Sequence, residues 1–138
     1  MAMRLGVFAV FVNDQDEALR FYVDRLGFVL SEDNRMGDYR WLLVRAQDTP
    51  DVAINLELAR TPDQQALVGK QAGGKPLFAL ATDNCSRDFQ AMKARGVAFD
   101  GEPQTMPYGT GVTLARDQGG DGMVRASDEL LAELLRIE

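Results

Sequence analysis

The chain has no histidine among its 138 residues, and that absence removes more chemistry than any single residue adds. Without an imidazole there is no Ser-His-Asp or Cys-His catalysis and no His-ligated zinc or iron. The commonest general base near neutral pH is gone too. What remains is carboxylate, Lys, Tyr or Arg chemistry, or none. The one cysteine, Cys85, excludes an intrachain disulfide and fits a reducing, cytoplasmic setting. It lies near an expected helix start, where a thiolate is favoured, but with no His as base it reads as inert packing. No apolar run approaches the ~20 residues of a membrane span, and the first residues have neither the apolar core nor the cleavage site of a secretory signal. Basic residues are in the minority: 15 Lys and Arg against 21 Asp and Glu leave a net charge of −6. That balance, with no basic stripe interleaved with aromatics, argues against a nucleic-acid partner.

What is present repeats. Asp14 and Gly27 recur sixty-nine positions later as Asp83 and Gly96, and Met36 and Ile54 recur seventy positions later as Met106 and Val124. Self-similarity at a fixed offset points to one supersecondary unit used twice. In the first copy, Leu5–Val12 is a short apolar run expected as a strand. Asn13 or Asp14 supplies a helix cap, with Glu17 in a capping-box-like position. Ala18, Leu19, Tyr22, Val23 and Leu26 share one helical face, and Gly27 provides a left-handed stop. Strands are expected at Phe28–Ser31, Tyr39–Arg45 and Val52–Leu58, with turns at 32–34 and 48–50. The second copy has Leu77–Thr82, a helix with Phe89 and Met92 inward, then Val97–Phe99, Gly111–Ala115 and Met123–Ala126.

The expected fold is therefore α+β: two βαβββ modules in a single domain with one eight-stranded curved sheet, plus a C-terminal helix. Module 1 covers about 4–58, a linker about 59–75, and module 2 about 76–126. The apolar content of 46% argues against disorder, and the length supplies a core of useful size. Within the linker, Thr61 as cap, Pro62 at the first helical position and Gln64 two residues on predict a short helix to about Val68. Gly69 to Lys75 matches most of a phosphate-binding loop, but Pro76 stands where a magnesium-binding Ser or Thr is needed, so the stretch reads as a hinge. Over about 128–137, Leu130, Leu131, Leu134 and Leu135 form an apolar helical stripe with an acidic opposite face, unlike a membrane-surface helix.

The paired plan, the run Ala18–Phe28 (ALRFYVDRLGF), residues 92–99 (MKARGVAF), and Glu102-Pro103 followed by Pro107-Tyr108-Gly109 resemble the vicinal oxygen chelate superfamily. That superfamily holds glyoxalases, extradiol dioxygenases, fosfomycin-resistance enzymes and bleomycin-resistance proteins. The resemblance implies that each module curls its sheet around a cavity, where enzymatic members hold a divalent metal with His and Glu. It also implies frequent homodimers. Carried onto this chain, the first-strand His position falls on Val7 and its equivalent on Leu77. The fourth-strand carboxylate falls on Asn55 or Glu57, and the last-strand one on Val124 or Arg125. The metal ligands are lost, so no metal and no cofactor is expected.

Alternation along the fourth strand puts Val52, Ile54, Leu56 and Leu58 beneath the helix and turns Asn55 and Glu57 to the concave side. The seventy-residue repeat sets Arg125 opposite Asn55, where it is expected to point to the concave side within salt-bridge reach of Glu57 or of a bound anion. Candidate pocket residues are Val7, Tyr39, Trp41, Asn55, Glu57, Leu77, Tyr108 and Arg125; none is assigned a catalytic role. The reading is a metal-free, small-molecule-binding protein in the manner of bleomycin-resistance proteins, which sequester a cationic, aromatic drug. Arg125 would admit an anionic guest instead, which leaves the ligand's charge open. One alternative is a metal-dependent lyase or dioxygenase with an unorthodox carboxylate site, Glu57 joined by Asp38 or Asp117. Another is an accessory domain with a vestigial pocket.

Sheet edges and the leucine stripe need covering, so a homodimer is expected, and light scattering at micromolar concentration should return twice the chain mass.

Overall fold

Asp14 begins the first helix from extended backbone, its carboxylate accepting from the Glu17 N–H at 3.0 Å. The computed structural model describes residues 2–73, 77–107, 109–114 and 129–132. Strand β1 (Val7–Val12) leads into α1 (Gln15–Arg20) and a π-helical turn (Phe21–Arg25), followed by β2 (Val29–Met36), β3 (Tyr39–Arg45) and β4 (Ala53–Leu58). Helix α2 (Pro62–Leu67) lies in the linker. Then come β5 (Ala79–Thr82), α3 (Cys85–Ala94), β6 (Gln104–Met106), β7 (Gly109–Thr113) and β8 (Glu129–Ala132). The strands form two four-stranded sheets, ordered β1-β4-β3-β2 and β5-β8-β7-β6. In each, the first strand pairs parallel with the last, and the remaining pairs are antiparallel. One topology used twice is the spatial form of the sequence repeat.

Both long helices stop on a glycine. The last turn of the first helix widens, with the Leu26 N–H donating five residues back to the Phe21 carbonyl, and Gly27 follows at φ +84°. Helix α3 is capped by Asn84, not Asp83, and closes with Val97 N–H to Met92 and Gly96 N–H to Lys93, both 3.0 Å. Gly96, at φ +96°, supplies the left-handed residue this closure requires. In the linker, Thr61 and Gln64 form the expected capping box with Pro62 in the first turn.

Several boundaries differ from the sequence reading. Residues 32–34 are strand rather than turn, because β2 continues past a register slip between Leu30 and Glu32 and turns only at Gly37, φ +63°. Phe99 makes a single bridge to Leu114, Gln104–Met106 is a strand, and β7 begins at Gly109. The C-terminal helix expected over 128–137 is corrected in part: Glu129–Ala132 is strand β8, filling the place between β5 and β7. Backbone pairing on both sides there outweighs the helical spacing of the leucines. Residues 133–138 and the strand expected at Met123–Ala126 lie outside the described residues.

One apolar cluster joins the two units. Val10, Val12, Leu42, Val44, Ile54 and Leu56 from the first sheet meet Ala18, Tyr22 and Leu26 of the first helix, and the cluster continues through Cys85, Phe89, Met92, Val97, Val112 and Leu114. Phe8 and Phe78 meet edge-to-face at 5.7 Å, and Arg95 Nε donates to the Arg25 carbonyl at 2.8 Å across the two helix ends. Cys85 is buried here, and burial raises its thiol pKa, as fits packing.

A single guanidinium ties this layer together. Arg40, buried beneath α1, donates from Nε and Nη2 to both oxygens of Asp33 at 2.9 Å and from Nη1 to Asp16 at 2.7 Å. These bonds hold both carboxyl groups below the usual range, the hydrogen bond from Arg40 being the largest cause in each case. Native values below the unfolded ones mean the contribution is present above about pH 4 and fades as pH falls through the lowered native values. Arg40→Met should cost about 1–3 kcal/mol at neutral pH in urea denaturation. The variant should also lose less of its remaining stability than the parent between about pH 6 and about pH 3.

Candidate functional site

Strand period places the site. Because Val10, Val12, Leu42, Val44, Ile54 and Leu56 enter the core, their neighbours Ala9, Phe11, Tyr39, Trp41, Leu43, Asn55 and Glu57 share the opposite face of the first sheet. Cross-strand register brings them together: Ala9 beside Asn55, Phe11 beside Glu57, and Leu43 beside Asn55. From the core side, the Gln15 amide donates to the Leu56 carbonyl at 2.8 Å and to that of Arg40 at 3.3 Å, bridging β3 and β4 past their last paired residues.

On the open face, Glu57 collects two donors on one oxygen. Tyr39 Oη donates to Oε1 at 2.7 Å and Asn55 Nδ2 to the same atom at 2.9 Å. The Glu57 hydrogen bond and burial push the Tyr39 hydroxyl above its ordinary pKa, while the Asn55 amide and Arg60 act the other way. Asn55 is 6% exposed, and its Oδ1 has no hydrogen-bond partner among the described residues. An unmet buried acceptor costs about 1–3 kcal/mol. Tyr39, Trp41 and Glu57 are half-buried. At the rim, Arg60 donates to the Asp38 carbonyl.

The other sequence candidates are spread more widely. Val7 starts β1 opposite Ala53 and is 44% exposed, whereas Leu77 packs half-buried against the core. Tyr108, Asp117, Val124 and Arg125 lie outside the described residues. In the described topology, however, Thr82 faces Ala132 as Val12 faces Leu58. The position equivalent to Asn55 is then Glu129, three residues before Ala132, so the seventy-residue spacing does not extend to β8. A groove of about 380 Å³ beside α3, lined by Phe89, Lys93, Val97, Phe99 and Glu102, shares no residue with the Tyr39–Asn55–Glu57 network.

The described residues do not fit a divalent metal. Val7 and Leu77 carry no donor atom, Glu57 is a lone carboxylate already bonded to Tyr39 and Asn55, and Asp38 is exposed at the turn. Among the described residues no three His, Cys, Asp or Glu side chains converge as a metal site.

A family model described as Glyoxalase/Bleomycin resistance protein/Dioxygenase superfamily matches residues 4–122. The chain belongs to that superfamily. It is 40% identical over 104 residues to an uncharacterized protein of Shewanella frigidimarina (strain NCIMB 400), covering 74% of this chain and 77% of the relative. Among solved structures, UcmS2 superposes with a TM-score of 0.78 at 29% identity, covering 95% of this chain and 98% of the other. TnmS3, an antibiotic binding protein from Streptomyces sp. CB03234, gives 0.71 at 28% identity, with 95% and 96% covered. The mixed α and β fold with curved sheets is the one this superfamily shares. No described helix is long and apolar enough to cross a membrane.

Sequence reasoning missed two supports of the site. Gln71, in the stretch read as a hinge, accepts from the Phe11 N–H at 2.7 Å and donates to the Ala9 carbonyl at 3.2 Å, closing the free edge of β1 like a one-residue strand. Gln15 bridges β3 and β4 as described. Neither has a local signal, since an amide in a polar stretch looks the same whether or not it meets backbone.

The Tyr39–Glu57 bond can be read directly. Glu57→Gln replaces a charged acceptor with a neutral one, so Tyr39 should ionise at lower pH in the variant. Ultraviolet titration with Tyr39→Phe as the subtraction control should show that downward move.

Proposed function

We propose that this protein is a metal-free small-molecule-binding member of its superfamily, working by sequestration in the manner of bleomycin-resistance proteins. The observation that carries the reading is the Tyr39–Glu57–Asn55 network on the open face of the first sheet, beside Trp41, where metal-dependent relatives need ligand side chains and the first sheet offers Val7 and a single carboxylate. A carboxylate next to an aromatic surface suits a cationic, aromatic guest, whose attraction to a ring face is about 0.5–2 kcal/mol. The likeness to TnmS3, an antibiotic binding protein, supports the same reading. A homodimer would cover the exposed apolar residues Leu30 and Met36 on the edge strand β2. Among the described residues, no ligand set supports the superfamily's metal-dependent lyase or dioxygenase chemistry.

Two measurements test this. Elemental analysis of protein purified without chelators should return much less than one divalent metal per chain; stoichiometric metal would reverse the reading. A panel of cationic aromatic compounds should include members that raise the melting temperature by several degrees at saturating concentration, with the rise reduced in Trp41→Ala. A flat panel would count decisively against sequestration of such guests.

A further inference from the structure

The network on the open face has a one-sided hydrogen-bond inventory. Tyr39 uses its only hydroxyl hydrogen on Glu57 Oε1. Asn55 uses an amide hydrogen on the same oxygen, which also sets which way the amide faces. Reversing that amide would place a carbonyl oxygen against a carboxylate oxygen. Asn55 Oδ1 therefore remains an acceptor, buried and without a partner among the described residues. Glu57 keeps its second oxygen. The atoms these three side chains leave for a guest are therefore mainly acceptors, the second Asn55 amide hydrogen and the neighbouring Trp41 indole N–H being the donors beside them.

We infer that the site selects its ligand by hydrogen-bond donors: it takes neutral or cationic molecules that present N–H groups to Glu57 and Asn55, and discriminates against anions and acceptor-only molecules. This rests on the small-molecule reading above and sharpens it, because charge and an aromatic surface alone would accept a quaternary ammonium as readily as a primary one. Donor selection would not. A site with buried acceptors rejects an analogue lacking the donor, since the acceptors lose water and gain nothing. Glu57 reads the donor; Tyr39 and Asn55 position its carboxylate, and Asn55 adds the innermost acceptor.

The test uses matched probes on the full chain: tryptamine and 1-naphthylmethylamine, each with its N,N,N-trimethylated counterpart, and the aromatic carboxylate 1-naphthoate. Each is titrated by calorimetry and by chemical-shift changes in the Trp41 and Asn55 side chains. The primary amines should bind about tenfold or more tightly than their trimethylated partners, and naphthoate should be the weakest. Glu57→Gln, which puts an amide donor where the carboxylate was, should shrink the amine preference to about twofold or less while leaving the melting temperature close to that of the parent. Equal binding of amine and trimethylated partner overturns donor selection and leaves the small-molecule reading standing. Tighter binding of naphthoate overturns the donor assignment as well. If no probe binds, the sequestration reading falls and takes this inference with it. An unchanged preference in Glu57→Gln would also refute Glu57 as the reading group.

Discussion

Burying one arginine sets which face each side chain of the first sheet takes. Arg40 lies on the helix side of β3, held by Asp33 on β2 and Asp16 on α1. Strand period then forces Tyr39 and Trp41 to the other face. A slip of one residue would carry both aromatics under the helix and expel the guanidinium from its two carboxylates. The cost would be an unpaired charge or a vacated core position. The same clamp fixes α1 over the sheet, which lets Gln15 reach the carbonyls of Arg40 and Leu56. The site on the open face therefore depends on an ion-pair network that it does not touch.

Without histidine in the chain, Glu57 keeps different company. In a metal site, a carboxylate at Glu57 would be directed at the cation. Here it draws in the Tyr39 hydroxyl and the Asn55 amide, becoming the hub of a small neutral-donor network. That network keeps polar atoms on this face of the sheet, most of those left unused being acceptors. The two units share topology, and the Tyr39–Asn55–Glu57 network lies on β3 and β4 of the first sheet.

The sequence by itself determined the βαβββ plan, the helix caps and stops, and the sidedness of β4. These are local: Asp14, Thr61 and Gln64 meet backbone groups within four residues, and glycines at 27 and 96 answer a positive φ in their own turns. Alternation in Ala53–Leu58 was enough to send Asn55 and Glu57 to the open face. Tertiary structure alone decided the rest. Arg40 reads as an ordinary exposed strand residue until Asp16 and Asp33 are brought to it from other elements. Gln71 becomes part of the first sheet only because the linker returns across β1, sixty residues from its partner Phe11. Glu129–Ala132 has the spacing of a helix, yet it is a strand where β5 and β7 leave a place between them. Local chemistry is legible in sequence because its partners are a few residues away; pairings across many residues depend on which chain segments the core brings side by side.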